Sequence, residues 1–173
     1  DVIPMEGKKL LLIDGHGLAF RAFYALPELT GPDGTPTNAV VGFFNMFQKV
    51  REEWHPDLCG VVFDAPGPTF RHEAYAQYKA GRKPTPPELK TQVPIIAELL
   101  ELLGVPVVMR SGVEADDVLA SVACTAAGEK IETMILSSDK DILQVLRPGL
   151  SVLRPGKGIT SFKMMDEKSF LEE

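Results

Sequence analysis

Seven carboxylates, Asp14, Asp64, Glu114, Asp116, Asp117, Asp139 and Asp141, stand at or just beyond short apolar runs. The runs are Leu10-Leu-Leu-Ile-Asp14, Val61-Val-Phe-Asp64, residues 105–108 before Glu114, and residues 134–136 before Asp139. Such runs read as buried β-strands, and in an open α/β sheet the carboxyl ends of the strands lie along one edge. Acids far apart in sequence would meet there. Like charges brought together repel, so the cluster needs protons, solvent or cations. Hard divalent cations, which take oxygen ligands, suit it best.

Each group also has a plainer reading. Asp14 alone could cap the helix that follows it. Glu114, Asp116 and Asp117 fall in a helical first turn, where the helix dipole favours acids. Three acids in four residues exceed what a cap needs. Glu114 and Asp117 share a helix face, and Asp116 points elsewhere. Asp139 and Asp141 flank Lys140, which could neutralise them locally. Each motif is weak by itself, and their joint placement at strand ends favours a metal site. His16, in a turn after the first strand, is read as solvated and is not expected to be a ligand.

Composition narrows the class. The 173 residues carry a net charge of −6, with 45% hydrophobic and 24% charged residues, as in an ordinary globular chain. Removing the seven acids leaves 17 of the 24 Asp and Glu against 18 Lys and Arg. The acidity is therefore concentrated in the proposed site, and a nucleic-acid partner is not excluded by charge. No apolar run approaches the ~20 residues of a membrane span, and residues 1–5 are too short and acidic for a signal peptide. Cys59 and Cys124 are isolated, which favours buried thiols over a disulfide framework. A cytoplasmic monomer without a membrane partner is expected.

The elements that must position the acids alternate. Strands are expected at 8–14, 58–63, 105–109 and 131–137, with a hairpin from 150–153 and 159–162. Helices are expected at 17–26, 38–54, 88–103, 114–127 and 140–146, with another from 166. Thr37 or Asn38 could cap the second helix, and Pro94 could kink the third. Alternating strands and helices predict an α/β fold with a mostly parallel central sheet and helices on both faces. Residues 66–90 differ in kind. Arg71, Tyr75, Tyr78, Lys79, Arg82 and Lys83 recur there without an apolar stripe. On a helix the first five would form one basic, aromatic face suited to phosphates and exposed bases, or else a solvated surface.

These stretches resemble a known family. Leu11-Leu-Ile-Asp-Gly15, Leu18-Ala-Phe-Arg-Ala-Phe23, Val62-Phe-Asp64, Phe70-Arg-His-Glu-Ala-Tyr75, Tyr78-Lys-Ala-Gly-Arg82, Glu114-Ala-Asp-Asp-Val-Leu-Ala120 and Ser138-Asp-Lys-Asp141 appear in the family's order. The chain resembles the N-terminal 5′ nuclease domain of bacterial DNA polymerase I, in the flap endonuclease superfamily. The resemblance implies a PIN-like, Rossmann-like sheet with a basic arch, about residues 66–90, over its carboxyl edge. It implies two Mg2+ or Mn2+ ions and hydrolysis of DNA near 5′ ends or flaps, with RNA primers as further substrates, in replication and repair. It assigns the seven acids to metal binding and Lys79 and Arg82 to the scissile phosphate. Arg21 and Arg71 fall in matching stretches as nucleic-acid contacts.

Family members continue past the region matching 150–173, with a further acidic pair and a helix-hairpin-helix-type element, and some carry a fused polymerase domain. The chain is expected to be one catalytic domain, 1–173, truncated before that element. The competing expectations are a metal- and nucleic-acid-binding fragment that cuts nothing, and a phosphoacceptor receiver domain. The receiver fold has no use for the basic 66–90 excursion.

Overall fold

The computed structural model describes residues 7–64, 85–110, 114–156, 162–166, 168 and 171. The expected arch, with Arg71, Tyr75, Tyr78, Lys79, Arg82 and Lys83, lies outside the described residues, as does most of the helix expected from 166.

The chain runs β1 (Lys9–Asp14), α1 (Gly15–Ala25), α2 (Asn38–Trp54), β2 (Leu58–Asp64), α3 (Pro87–Leu102), β3 (Val107–Arg110) and α4 (Ala115–Gly128). Then come β4 (Glu132–Leu136), a 3-10 helix (Lys140–Val145), β5 (Leu150–Pro155) and β6 (Phe162–Met165). The six strands lie in the order β3-β2-β1-β4-β5-β6. All neighbours are parallel except β5 and β6. The α/β sheet is thus mostly parallel, as expected.

Period-two alternation splits the core across the two faces of the sheet. Leu11, Ile13, Val61, Phe63, Met134 and Leu136 pack with Ala19, Ala22, Phe43, Phe47 and Ile96 of α1, α2 and α3. Leu12, Val62, Ile135 and Val152 face the other way, onto Leu119 and Ala123 of α4 and Ile142. Burying each large apolar side chain stabilises the fold by roughly 1.5–3 kcal/mol. On the first face, α1 and α2 approach closely at Gly42, where a Cβ would stand 2.7 Å from the Ala22 Cβ.

Helix ends correct several expectations. α1 begins at Gly15, because Asp14 caps it by accepting from the Gly17 amide at 3.1 Å. Thr37 stands at the α2 N-cap position and makes no side-chain cap bond. Gln92 of α3 caps that helix instead, its Oε1 accepting from the Ala39 and Val40 amides at 2.7 and 3.1 Å. α3 starts with Pro87 at its first turn, where a missing N–H costs nothing, and continues through Pro94 to Leu102. The short element after Asp139 is a 3-10 helix. Among the described residues, no helix is long and apolar enough to cross a membrane.

Candidate metal centre

β1 lies centrally, flanked by β2 on one side and β4 on the other. Connections from β1 and β2 run to one side and those from β4 to the other, which opens a crevice at the carboxyl ends. A cavity of about 570 Å³ lies there. Asp14, Asp64, Glu114, Asp116 and Asp139 line it, with His16. These come from the ends of β1 and β2, the first turn of α4 and the turn after β4.

Asp14 is 8% exposed, held by the Gly17 amide on Oδ1 and the Ser137 hydroxyl on Oδ2 at 3.4 Å. A Cβ on Gly17 would collide with the Asp14 carboxylate and push it from this position. Asp64 accepts from the Ala115 amide at 2.7 Å, tying the end of β2 to the start of α4. His16 accepts the Asp64 amide on Nδ1 at 3.0 Å and meets the Phe63 ring edge-on. Nδ1 also lies 3.9 Å from the Asp64 carboxylate. This is not an ion pair, because an accepting Nδ1 belongs to a neutral imidazole and burial lowers the His16 pKa against the opposing pull of Asp64. The Asp139 amide donates to Ser137 Oγ at 3.1 Å, and its Oδ1 accepts from the Asp141 amide at 2.9 Å.

The acids strain against one another. Burial, with the charges of Asp64 and Asp139, raises Asp14 to about 6 despite two hydrogen bonds that favour its charged form. Asp116 is raised to about 8 by burial first, then by its side-chain hydrogen bond to Asp139 and by the charges of Asp14, Asp139 and Asp64. At neutral pH a proton is therefore held in the hydrogen bond between Asp116 and Asp139. The donor set is all oxygen and short of positive charge, which is the chemistry a hard divalent cation fits. Among the described residues, no three such side chains converge closely enough to hold one ion as they stand.

Asp117 and Asp141 do not line the cavity. Asp117 is half-buried within α4, and Asp141 is exposed on the 3-10 helix. Arg21 is half-buried on α1, and its Nε has no hydrogen-bond partner among the described residues.

Some contributors escaped the sequence reading. His16 was read as solvated and instead lines the cavity. Ser137 bridges two acids, and only its place in a Ser-Ser-Asp turn hinted at that. Phe20 and Tyr24 form an aromatic wall on the same cavity, 50% and 62% exposed, with ring centroids 4.7 Å apart. Their exposure was the missing signal, since aromatics at helical spacing read first as core.

Residues 9–173 match the family described as 5′-3′ exonuclease, N-terminal resolvase-like domain. The chain belongs to this family. The thermostable DNA polymerase I of Thermus aquaticus is 49% identical over 147 residues, which is 85% of this chain and 18% of that protein. The chain thus spans under a fifth of the polymerase relatives it matches. A bacteriophage T5 5′-exonuclease with bound zinc shares the fold at a TM-score of 0.75 and 19% identity, over 96% of this chain and 60% of that one. A T5 flap endonuclease in complex with DNA and metal ions does so at 0.67 and 19%, over 95% and 60%. These likenesses show that the fold described above is shared with those proteins.

Proposed function

We propose that this member of the 5′-3′ exonuclease family is a divalent-metal-dependent nuclease that hydrolyses phosphodiesters at 5′ ends or flaps of DNA. RNA primers would be further substrates, and the setting is cytoplasmic replication and repair. The chain would act as a monomer or fused to a polymerase domain, as its polymerase relatives suggest. One observation carries this reading. Five carboxylates from four separate elements line one cavity, and burial, reinforced by the neighbouring acids, leaves Asp14 and Asp116 with raised pKa values.

Mg2+ or Mn2+ there would supply Lewis-acid activation of water and charge neutralisation at the phosphate. Asp14, Asp64, Glu114, Asp116 and Asp139 would hold the ions, two in the full site the resemblance implies. Asp117 and Asp141 would act from the periphery. The proton on Asp116 would leave as a cation enters, so affinity rises with pH. Phe20 and Tyr24 would stack an unpaired terminal base, orienting the strand along the acids. By resemblance, Lys79 and Arg82 would place positive charge on the scissile phosphate, and Arg21, Arg71, Tyr75, Tyr78 and Lys83 would contact the nucleic acid.

The test is single-turnover cleavage of an end-labelled 5′-flap duplex with Mg2+ or Mn2+, using Asp64→Asn as the blank. Metal-dependent cleavage lost in the blank supports the proposal. Cleavage that survives chelation overturns it. A second reading, binding of metal and DNA without cleavage, draws on the lack of three converging ligands among the described residues. It predicts metal uptake and flap binding with no product.

A further inference from the structure

His16 has no role in the chemistry above, yet its bonding is specific. β1 stops at Asp14, opposite Val62, while β2 continues two residues further to Asp64. The Asp64 amide therefore has no β1 residue across from it, because the chain has already turned into α1. A buried amide without an acceptor costs about 1–3 kcal/mol. His16, in the first turn of α1, supplies the acceptor through Nδ1 at 3.0 Å. The Phe63 ring fixes the imidazole edge-on at a centroid distance of 5.4 Å. At its other end Asp64 is fixed by the Ala115 amide.

We propose that His16 is a positioning residue of the carboxylate cluster, replacing the missing strand neighbour of Asp64 through Nδ1, and that it is not a metal ligand. This rests on the metal-centre reading for its link to cation binding. The fixation of Asp64 stands on geometry alone. With Nδ1 occupied as acceptor, the ring proton sits on Nε2, so the imidazole offers the cavity a donor and no lone pair.

Three variants separate the roles. His16→Asn keeps an acceptor near the Nδ1 position, His16→Gln moves one toward the Nε2 position, and His16→Ala removes both. Hydrogen exchange at the Asp64 amide, followed by 15N NMR in chelator, reads the fixation without metal. Calorimetric titration with Mn2+ alone reads its consequence. Loss of a supporting partner of a metal ligand weakens affinity by about 10–100-fold. His16→Ala should speed Asp64 exchange at least about tenfold and weaken Mn2+ to that extent. His16→Asn should restore both, and His16→Gln neither. Unchanged Asp64 exchange in His16→Ala overturns the proposal. So does restored Mn2+ affinity in His16→Gln but not His16→Asn, which marks a direct ligand. Should His16→Ala not fold, the Asn and Gln pair decides. Should the wild type take up no Mn2+, the metal-centre reading fails and the exchange data alone decide the role of His16.

Discussion

Two protonated carboxylates at neutral or slightly acidic pH set the behaviour of the site residue by residue. Asp14 titrates at about 6 and Asp116 at about 8 in the folded protein, against 3.8 for an unperturbed Asp. Between those values the folded state binds more protons than the unfolded one, so stability falls as pH rises. The loss begins near pH 4, ends near 6 for Asp14 and continues to about 8 for Asp116. Metal-free protein should therefore need less urea to unfold at pH 9 than at pH 5, the reverse of ordinary acid denaturation. Asp116→Asn should flatten most of that slope. An unchanged slope in urea melts of the variant would refute the assignment. The aromatic wall makes a second residue-level prediction. Base stacking contributes about 1–3 kcal/mol, so Phe20→Ala should weaken flap binding by roughly 5- to 150-fold while leaving Mn2+ titrations unaltered. Anisotropy with a labelled flap measures this. The acids were legible in the sequence because each follows a strand-like run. Their division into cavity-lining and peripheral members was not, because neighbouring first-turn residues differ only in where the turn points them.

Among the secondary-structure elements, Gln92 holds three helices at the rim of the cavity. It is fully buried, accepts two α2 amides, and donates to Asn38 Oδ1 at 2.9 Å and to the Glu88 carbonyl at 3.1 Å. Asn38 in turn donates to the Phe23 carbonyl of α1. Gln92→Ala would strand two helical amides and the Asn38 carbonyl oxygen in the interior. Unsatisfied buried groups cost about 1–3 kcal/mol each, so a loss of roughly 3 kcal/mol is expected in urea unfolding. A loss below about 0.5 kcal/mol would show that water takes its place. Strand and helix existence was readable throughout the described residues, because apolar runs and periodicity are local signals. The capping of α2 was not readable, because its partner lies 53 residues away from Ala39. Pro94 lies inside α3, which continues past it to Leu102.

For the whole molecule, the carboxylate cluster exists only in the folded chain, so a cation that binds it must stabilise the fold. At about 100 times its Kd a ligand contributes about 2.7 kcal/mol. For a domain of this size that corresponds to a rise in Tm of roughly 5–10 °C. Mg2+ titrations followed by calorimetry should show this rise, and Asp64→Asn should blunt it by more than half. Equal rises in both proteins would mean that the ion binds elsewhere. The sheet order was only partly legible. Alternation predicted parallel strands, but nothing local specifies that β1 ends up between β2 and β4.

That central place of β1 also sets a clock. Its two neighbours lie about 50 and 120 residues away along the chain, as the pairs Asp14–Val62 and Ile13–Leu136 show. Closing such long loops is slow compared with forming helices, which takes about a microsecond or less. In a refolding experiment far-UV ellipticity should recover first and Mn2+ uptake last. The acids meet only when both strands have docked, so the cation reports the moment the native topology is complete.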